Sequence, residues 1–366
     1  MYAIRILIRQ PVRSLLTVGG IALCIVLMLF LLGVYRGVAN GSVDYIRRNP
    51  ADFWILQRNA TNILRGSTLL TLSHGTLLRE AEGVQQASAV LLLLTTVWRE
   101  NERATLFVAG FDPATGAGGP PEIIAGRSVR SDDELVVDRS FAAKYAIRVG
   151  EAVRVQDDSL RVVGLSAGTN AFVIQYGFVT LSRAQSLTGF PSIVSLYLVR
   201  LRPGASLDSV RRSIVEDIPG VEVYDQASFL RNNIHEMESG FMPILYAIAS
   251  IGAVVLTSIL TLLLTVIILE SRRDFAVMRA LGSPERFLSG VVLAQAFILS
   301  IAGIVSALAL FPPLAAGIEL AAPEVSAQGS LLQTGTVSLV VMGITLFSAW
   351  LAVRRLRSIY PLEAFT

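Results

Sequence analysis

Residues 270–286 read ESRRDFAVMRALGSPER, a charged island between two of the longest uncharged stretches in the chain. No Asp, Glu, Lys or Arg lies between Glu238 and Glu270 on one side, or between Arg286 and Glu319 on the other. Working outward, two further charge-free gaps separate Arg13 from Arg36 and Glu324 from Arg354. Each gap exceeds the roughly 20 residues a helix needs to cross the hydrocarbon of a bilayer. The spacing predicts four membrane spans, at residues 15–35, 242–269, 287–310 and 335–353. Composition agrees: the 366 residues are 53% hydrophobic and only 16% charged, against roughly 25% charged in a typical soluble chain. The first apolar run is too long for a signal peptide and no small-x-small cleavage site follows it, so we read it as a retained anchor.

Arginine placement sets the expected orientation. Arg5, Arg9 and Arg13 precede the first span, Arg272, Arg273, Arg279 and Arg286 fill the link between the second and third, and Arg354, Arg355 and Arg357 follow the fourth. Cytoplasmic flanks collect such residues. The loop 311–334 carries Glu319 and Glu324 and no basic residue, as an external loop should. Both termini (1–14 and 354–366) and the island are therefore expected in the cytoplasm, and residues 36–241 outside it. The fold class that follows is an α-helical membrane protein with four spans in a one-plus-three layout and a large α+β extracytoplasmic domain between the first two.

That domain mixes both periodicities. Residues 51–57, 88–98 and 104–111 read as strands, with a short helix over 73–82 closed by Gly83. Later come a strand over 195–201, a helix opened by Ser206 that places Leu207, Val210 and Ile214 on one face, and a strand over 221–224. These two βαβ-like pieces flank residues 126–181, where short alternating strands (135–137, 152–155, 160–165) predict a β-rich insert. The run Leu91 to Leu94 is apolar without a period and fits a buried strand or a helix equally.

Several chemistries drop out. One cysteine, Cys24, and two histidines, His74 and His235, cannot build a Cys/His metal cluster. Lys144 is the only lysine, and its surroundings, Phe141-Ala142-Ala143-Lys144-Tyr145, lack the glycines of a nucleotide-binding P-loop. The glycine-rich stretch 116–121 (GAGGPP) has no strand-turn-helix context and reads as a loop. The arginines form no stripe with interleaved aromatics, which argues against nucleic acid. No G-x-S-x-G or H-E-x-x-H pattern supplies a hydrolytic centre, and no charge inside the spans marks an ion path.

Within the island, Phe275, Met278 and Leu281 lie on or near one side of a helix that Gly282 would cap and Pro284 would stop. Spacing alone leaves an amphipathic surface helix and a solvated turn both open. The residues Arg273-Asp274-Phe275-Ala276-Val277-Met278-Arg279-Ala280-Leu281-Gly282-Ser283, however, resemble the R-E-I/F-A-x-x-R-A-x-G segment between the second and third spans of FtsX-like, or MacB-type, ABC transporter permeases. The entry over residues 5–17 is similar to that family's amphipathic N-terminal helix, and Pro361-Leu362-Glu363-Ala364-Phe365 to its P-x-E-A-L ending. Gly126-Arg127, residues 134–138, Val149-Gly150-Glu151 and residues 161–164 resemble its periplasmic domain. Gly110-Phe111-Asp112-Pro113 and the N-terminal entry are similar to the DevC-type glycolipid-exporter permeases.

The resemblance implies a non-catalytic subunit without a cofactor of its own, ATP and Mg²⁺ being bound by a separate MacB- or LolD-like ATPase. It makes residues 270–286 the coupling helix, with Phe275, Met278 and Leu281 packing into the ATPase, Arg272, Arg273 and Arg279 meeting its acidic rim, and Asp274 and Gly282 completing the motif. Further implied are a second permease copy forming a homodimer, a bacterial inner-membrane location, contact with membrane lipids, and in some systems a periplasmic membrane-fusion protein with an outer-membrane channel. The role implied is export of a lipid, glycolipid, peptide or drug, as in MacB or LolCDE systems. The alternative is a non-transporting mechanotransmission protein that regulates a periplasmic cell-wall hydrolase.

Overall fold

The structure, a computed structural model, describes residues 11–63, 69–99, 102–171, 174–270, 284–321 and 331–356. In chain order the helices are α1 (Pro11–Arg48), α2 (Leu72–Glu80), α3 (Arg139–Lys144), α4 (Leu181–Thr188), α5 (Leu207–Asp217), α6 (Gln226–Glu270), α7 (Glu285–Ala321) and α8 (Leu331–Leu356). The strands are β1 (Phe53–Gln57), β2 (Leu70–Thr71), β3 (Val84–Arg99), β4 (Glu102–Phe111), β5 (Ile123–Gly126), β6 (Glu134–Asp138), β7 (Ala152–Val155), β8 (Asp158–Ser166), β9 (Asn170–Ala171), β10 (Ile174–Thr180), β11 (Ile193–Val194), β12 (Leu196–Leu201) and β13 (Val221–Asp225). The chain divides into two units, one of residues 1–35, 242–318 and 327–366, the other of residues 36–241 with 319–326.

The first unit holds, among the described residues, four helical stretches long and apolar enough to cross a membrane: Pro11–Gly37, Met242–Val266, Ser289–Ile318 and Leu332–Arg354. In hydrocarbon the backbone must satisfy itself, which a helix alone does within one segment. Three hydroxyls inside these runs are satisfied the same way: Thr257, Thr265 and Thr345 donate to the carbonyls of Ala253, Thr261 and Val341, one turn back. Ile21, Ile25 and Leu29 of α1 join Leu256 and Leu260 of α6, Val292, Ala296 and Leu299 of α7, and Val341 and Ala349 of α8 in one apolar cluster. A Cβ on Gly303 would lie 2.4 Å from Ile21 Cγ2, so α1 and α7 approach through the missing side chain. One expectation is corrected. The segment expected to be a loop from residue 311 is helical at its start, because α7 continues through Pro312 and Pro313 to Ala321. Each proline removes one backbone donor, a smaller loss in an apolar run than unwinding the turn around it.

In the second unit β1, β3, β12 and β13 form an antiparallel sheet in the order β13-β1-β12-β3. With α2 between β1 and β3 and α5 between β12 and β13, this is a ferredoxin-like split β-α-β arrangement. The paired βαβ pieces expected from sequence are thus interleaved: β12 separates β1 from β3. β1 shows why its sequence, Phe-Trp-Ile-Leu, is apolar without alternation. Phe53 and Ile55 pack with Leu78, Val210 and Ile214 of α2 and α5, while Trp54 and Leu56 pack on the opposite face with Tyr45, Ile46 and Phe229 of α1 and α6. Val210 and Ile214 are buried as expected; Leu207, in the first turn of α5, is 51% exposed.

The insert begins earlier than residue 126. β3 is shared: residues 84–90 pair with β12, and residues 91–99 pair with β4. From there pairing runs β3-β4-β10-β6-β8-β7 and returns to β3, closing a six-stranded barrel. Closure leaves these strands without a free edge. Leu91, Leu106, Val108, Leu135, Val137, Val153, Leu160 and Val162 fill its core, sealed by Phe141 of α3. The ambiguous Leu91 to Leu94 run is strand.

Candidate functional site

The coupling residues inferred from sequence, Arg272, Arg273, Asp274, Phe275, Met278, Arg279, Leu281 and Gly282, lie outside the described residues, as do the N-terminal entry before Pro11 and the tail after Leu356. The described chain shows α6 reaching Glu270 and α7 starting at Glu285.

A second locus, missed by sequence reasoning, lies in the extracytoplasmic unit, where the far ends of α1 and α6 enter the split β-α-β sheet. Gln226 opens α6. Its Nε2 donates to the carbonyl of Ile46 near the end of α1 at 2.7 Å, and its Oε1 accepts from the indole of Trp54 in β1 at 2.6 Å. One amide therefore binds α1, α6 and the sheet together. Trp54 is fully buried, so its N–H needs this acceptor. Its ring stacks on Phe229 of α6 at 4.8 Å and meets Tyr45 of α1 edge-on at 6.4 Å. Tyr45 in turn stacks on Tyr176 of the barrel at 4.9 Å. The aromatic contacts thus run from α6 through β1 and α1 to the insert.

Capping fixes each root. Asp225 precedes α6, accepting from the Ser228 N–H and hydroxyl at 2.8 Å each and from Arg211 of α5 at 2.9 Å. Partial burial would raise the carboxyl's pKa, but the Ser228 and Arg211 donors outweigh it and hold it at about 2. A carboxylate there also complements the positive end of α6. One turn further on, Asn233 accepts from the Ile63 N–H and donates to the Phe229 carbonyl.

The root of α1 is held by the glycine-rich loop. Tyr45 donates its hydroxyl to the Gly118 carbonyl at 2.7 Å, and Asn49 accepts from the Gly118 N–H at 3.2 Å. Burial raises the Tyr45 pKa well above its usual value, keeping it a neutral donor. Gly118 has φ +77°, and a Cβ there would lie 2.3 Å from Val90. The loop needs glycine at that position to pass between α1 and β3, which explains the composition of residues 116–121 without any phosphate. Arg48 adds an exposed ion pair to Glu122 at 2.8 Å, a contribution of about 0–1 kcal/mol.

These contacts join residues as far as 180 positions apart, the separation of Gln226 and Ile46, so no local motif announces them. Trp54 and Tyr45 are fully buried in the structure, and nothing in their local sequence sets them apart from ordinary core residues. Among the described residues no group of three or more His, Cys, Asp or Glu could hold a metal ion. Within the second unit, the ends of α1 and α6, the sheet and the barrel meet here through buried hydrogen bonds and rings.

Residues 14–217 match the MacB-like periplasmic core domain family, and residues 246–361 the FtsX-like permease C-terminal family. The chain belongs to the MacB/FtsX-type ABC transporter permeases. Two permeases of Mycobacterium tuberculosis H37Rv, both described as uncharacterized ABC transporter permeases, are similar to this permease. One is 25% identical over 371 residues, covering 96% of this chain and 95% of its own; the other is 24% identical over 301 residues, covering 81% and 80%. Among solved structures, the periplasmic region of MacB from Actinobacillus actinomycetemcomitans matches with a TM-score of 0.42 and 14% identity, over 51% of this permease and 94% of that chain. The extracellular domain of the transporter YknZ from Gram-positive bacteria matches with a TM-score of 0.39 and 12% identity, over 48% and 100%.

Proposed function

We propose that this permease is the membrane subunit of an exporter of the MacB/FtsX/LolCDE type, converting ATP hydrolysis by a separate ATPase into movement of its extracytoplasmic domain. The exported compound is a lipid, glycolipid, peptide or drug. The permease contributes no catalytic group; ATP and Mg²⁺ belong to the ATPase. In this reading both termini and residues 270–286 are cytoplasmic, and Phe275, Met278 and Leu281 dock on the ATPase, with Arg272, Arg273 and Arg279 at its rim. Two copies pair in the membrane.

The observation that carries the reading is the Gln226 junction. α1 and α6 each contain a membrane-spanning stretch and a root, and one side chain ties the two roots to the sheet and to each other. A displacement of α6 therefore has a bonded route into the domain. Purification of the full chain in mild detergent, co-expressed with its genomic neighbours, tests this. The expected result is a co-purifying ATPase subunit and labelling of residues 271–283 from the cytoplasmic side only. Labelling of that segment from outside, or ATP hydrolysis by the isolated chain, would overturn it. A periplasmic cell-wall hydrolase among the co-purifying proteins, with no bound lipid or adaptor, would move the assignment to mechanotransmission.

A further inference from the structure

The outer wall of the barrel carries an unusual cross-strand group. Trp98 of β3 lies opposite Arg103 of β4 on one side and opposite Arg154 of β7 on the other. Both guanidinium groups stack on the indole, their Cζ atoms 4.2 and 5.0 Å from its centroid. A cation–π contact of this kind engages the charge with the ring face and uses none of the guanidinium N–H donors in a hydrogen bond to an acceptor. Among the described residues neither the Arg103 nor the Arg154 side chain makes an ion pair or hydrogen bond, and both residues are exposed. The nearby acidic group is committed elsewhere: Glu151 accepts from Arg99 at 2.8 Å and from the Arg148 N–H at 3.1 Å. Trp98, Arg99, Glu151 and Arg154 border a cleft of about 510 Å³.

Strand alternation extends the same face. From Trp98 it continues to Thr96 and Leu94 on β3, beside Thr105 and Phe107 on β4. Leu94 is 58% exposed although apolar. Trp and Arg are residue types over-represented at protein-binding hot spots, and here one Trp lies under two arginines with an exposed leucine further along the same face. A lipid fits less well, because the polar threonines interrupt the apolar surface an acyl chain would need.

The geometry points to this face as the docking site for an acidic segment of a partner protein, its carboxylates held by the forked donors of Arg103 and Arg154 and an apolar side chain resting on Leu94. The site is independent of what the complex exports.

The test places a photo-crosslinking amino acid at Thr96, and separately at Thr105, in the full chain within its own membrane, and maps the adducts by mass spectrometry. The expected adduct is one protein segment rich in Asp or Glu, its yield falling on the order of tenfold in Arg103→Gln/Arg154→Gln, which keeps side-chain size and loses charge. Arg103→Glu/Arg154→Glu should abolish it, with membrane insertion and thermal stability of both variants checked in parallel. Adducts to lipid, to a second copy of the chain or to a non-acidic segment, an unchanged yield in the charge variants, or no adduct at all would each overturn the proposal.

Discussion

The Gln226 side-chain amide donates to the Ile46 carbonyl at 2.7 Å, so the first residue of one long helix closes the last turns of another 180 positions away in sequence. The same group accepts from Trp54. Gln226→Leu removes both bonds and strands a buried indole N–H, at a cost on the order of 2 kcal/mol. The expected result is a lower thermal midpoint for the purified chain with membrane insertion intact. Trp54→Phe with Gln226→Leu should cost less than the sum of the two single changes, since the stranded donor is gone. Strict additivity would mean the indole–amide bond is not what holds the joint.

Two glycines of one loop should respond differently to the same change. Gly118 and Gly116 both have positive φ, but a Cβ on Gly118 meets Val90 whereas one on Gly116 meets open space. Gly116→Ala carries only the strain of a left-handed backbone, about 1–2 kcal/mol. Gly118→Ala carries the same strain and adds a buried overlap with Val90, so it should cost about 1–3 kcal/mol more than Gly116→Ala. Denaturant titration of the two variants compares them directly.

Acid should loosen the extracytoplasmic unit. Arg127 beside Glu134 brings that carboxyl from its ordinary 4.5 to about 2, and Asp225 lies at about 2 against 3.8. Unfolded, both groups take up protons at higher pH than they do in the native state. Their stabilisation is therefore complete above the ordinary values and is lost as pH falls through them towards 2. Asp225→Asn keeps the cap and removes the charge, so its stability should decline less steeply from pH 5 to pH 3 than that of the parent. Melting curves across that range measure it.

In the membrane unit Gly303 is the sensitive small residue. Gly303→Leu must displace Ile21, a cost of about 1–3 kcal/mol for overpacking. Gly290→Leu, where nothing lies within 4 Å, is the control on the same helix. Detergent-solubilised protein should lose thermal stability in the first case and not in the second.

The proposed docking of residues 270–286 on an ATPase makes its own prediction. Phe275→Asp or Met278→Asp would put a charge in the docking face proposed for the ATPase. ATPase recovery with the purified permease should fall at least about tenfold, with expression and insertion unchanged. Equal recovery would place the contact elsewhere.

What the sequence made legible follows from how each feature is encoded. The spans were readable because the absence of charge over 20 or more residues is a one-dimensional property, and the strands around Leu135, Val153 and Val162 because alternation is local. Two features escaped for the opposite reason. The barrel begins in the middle of β3, where Val90 and Leu91 differ only in which neighbour they pair with. Pairing partners leave no trace in local pattern. The joint escaped because its members, Tyr45, Trp54, Tyr176, Gln226 and Phe229, are scattered over the chain and each resembles an ordinary core or surface residue alone. The length of α7 escaped because the absence of charge locates a span but not the residue at which its helix ends.

β3 belongs to the split sheet over its first residues and to the barrel over its last. No loop separates the two pieces there, so the barrel cannot be excised or exchanged at a flexible connection. A single residue gained or lost between Val90 and Leu91 would reverse the pleat of everything beyond, turning Leu91 and Val97 to solvent and Thr96 to the interior. Anyone grafting this module onto another base would have to splice within a strand and match its parity.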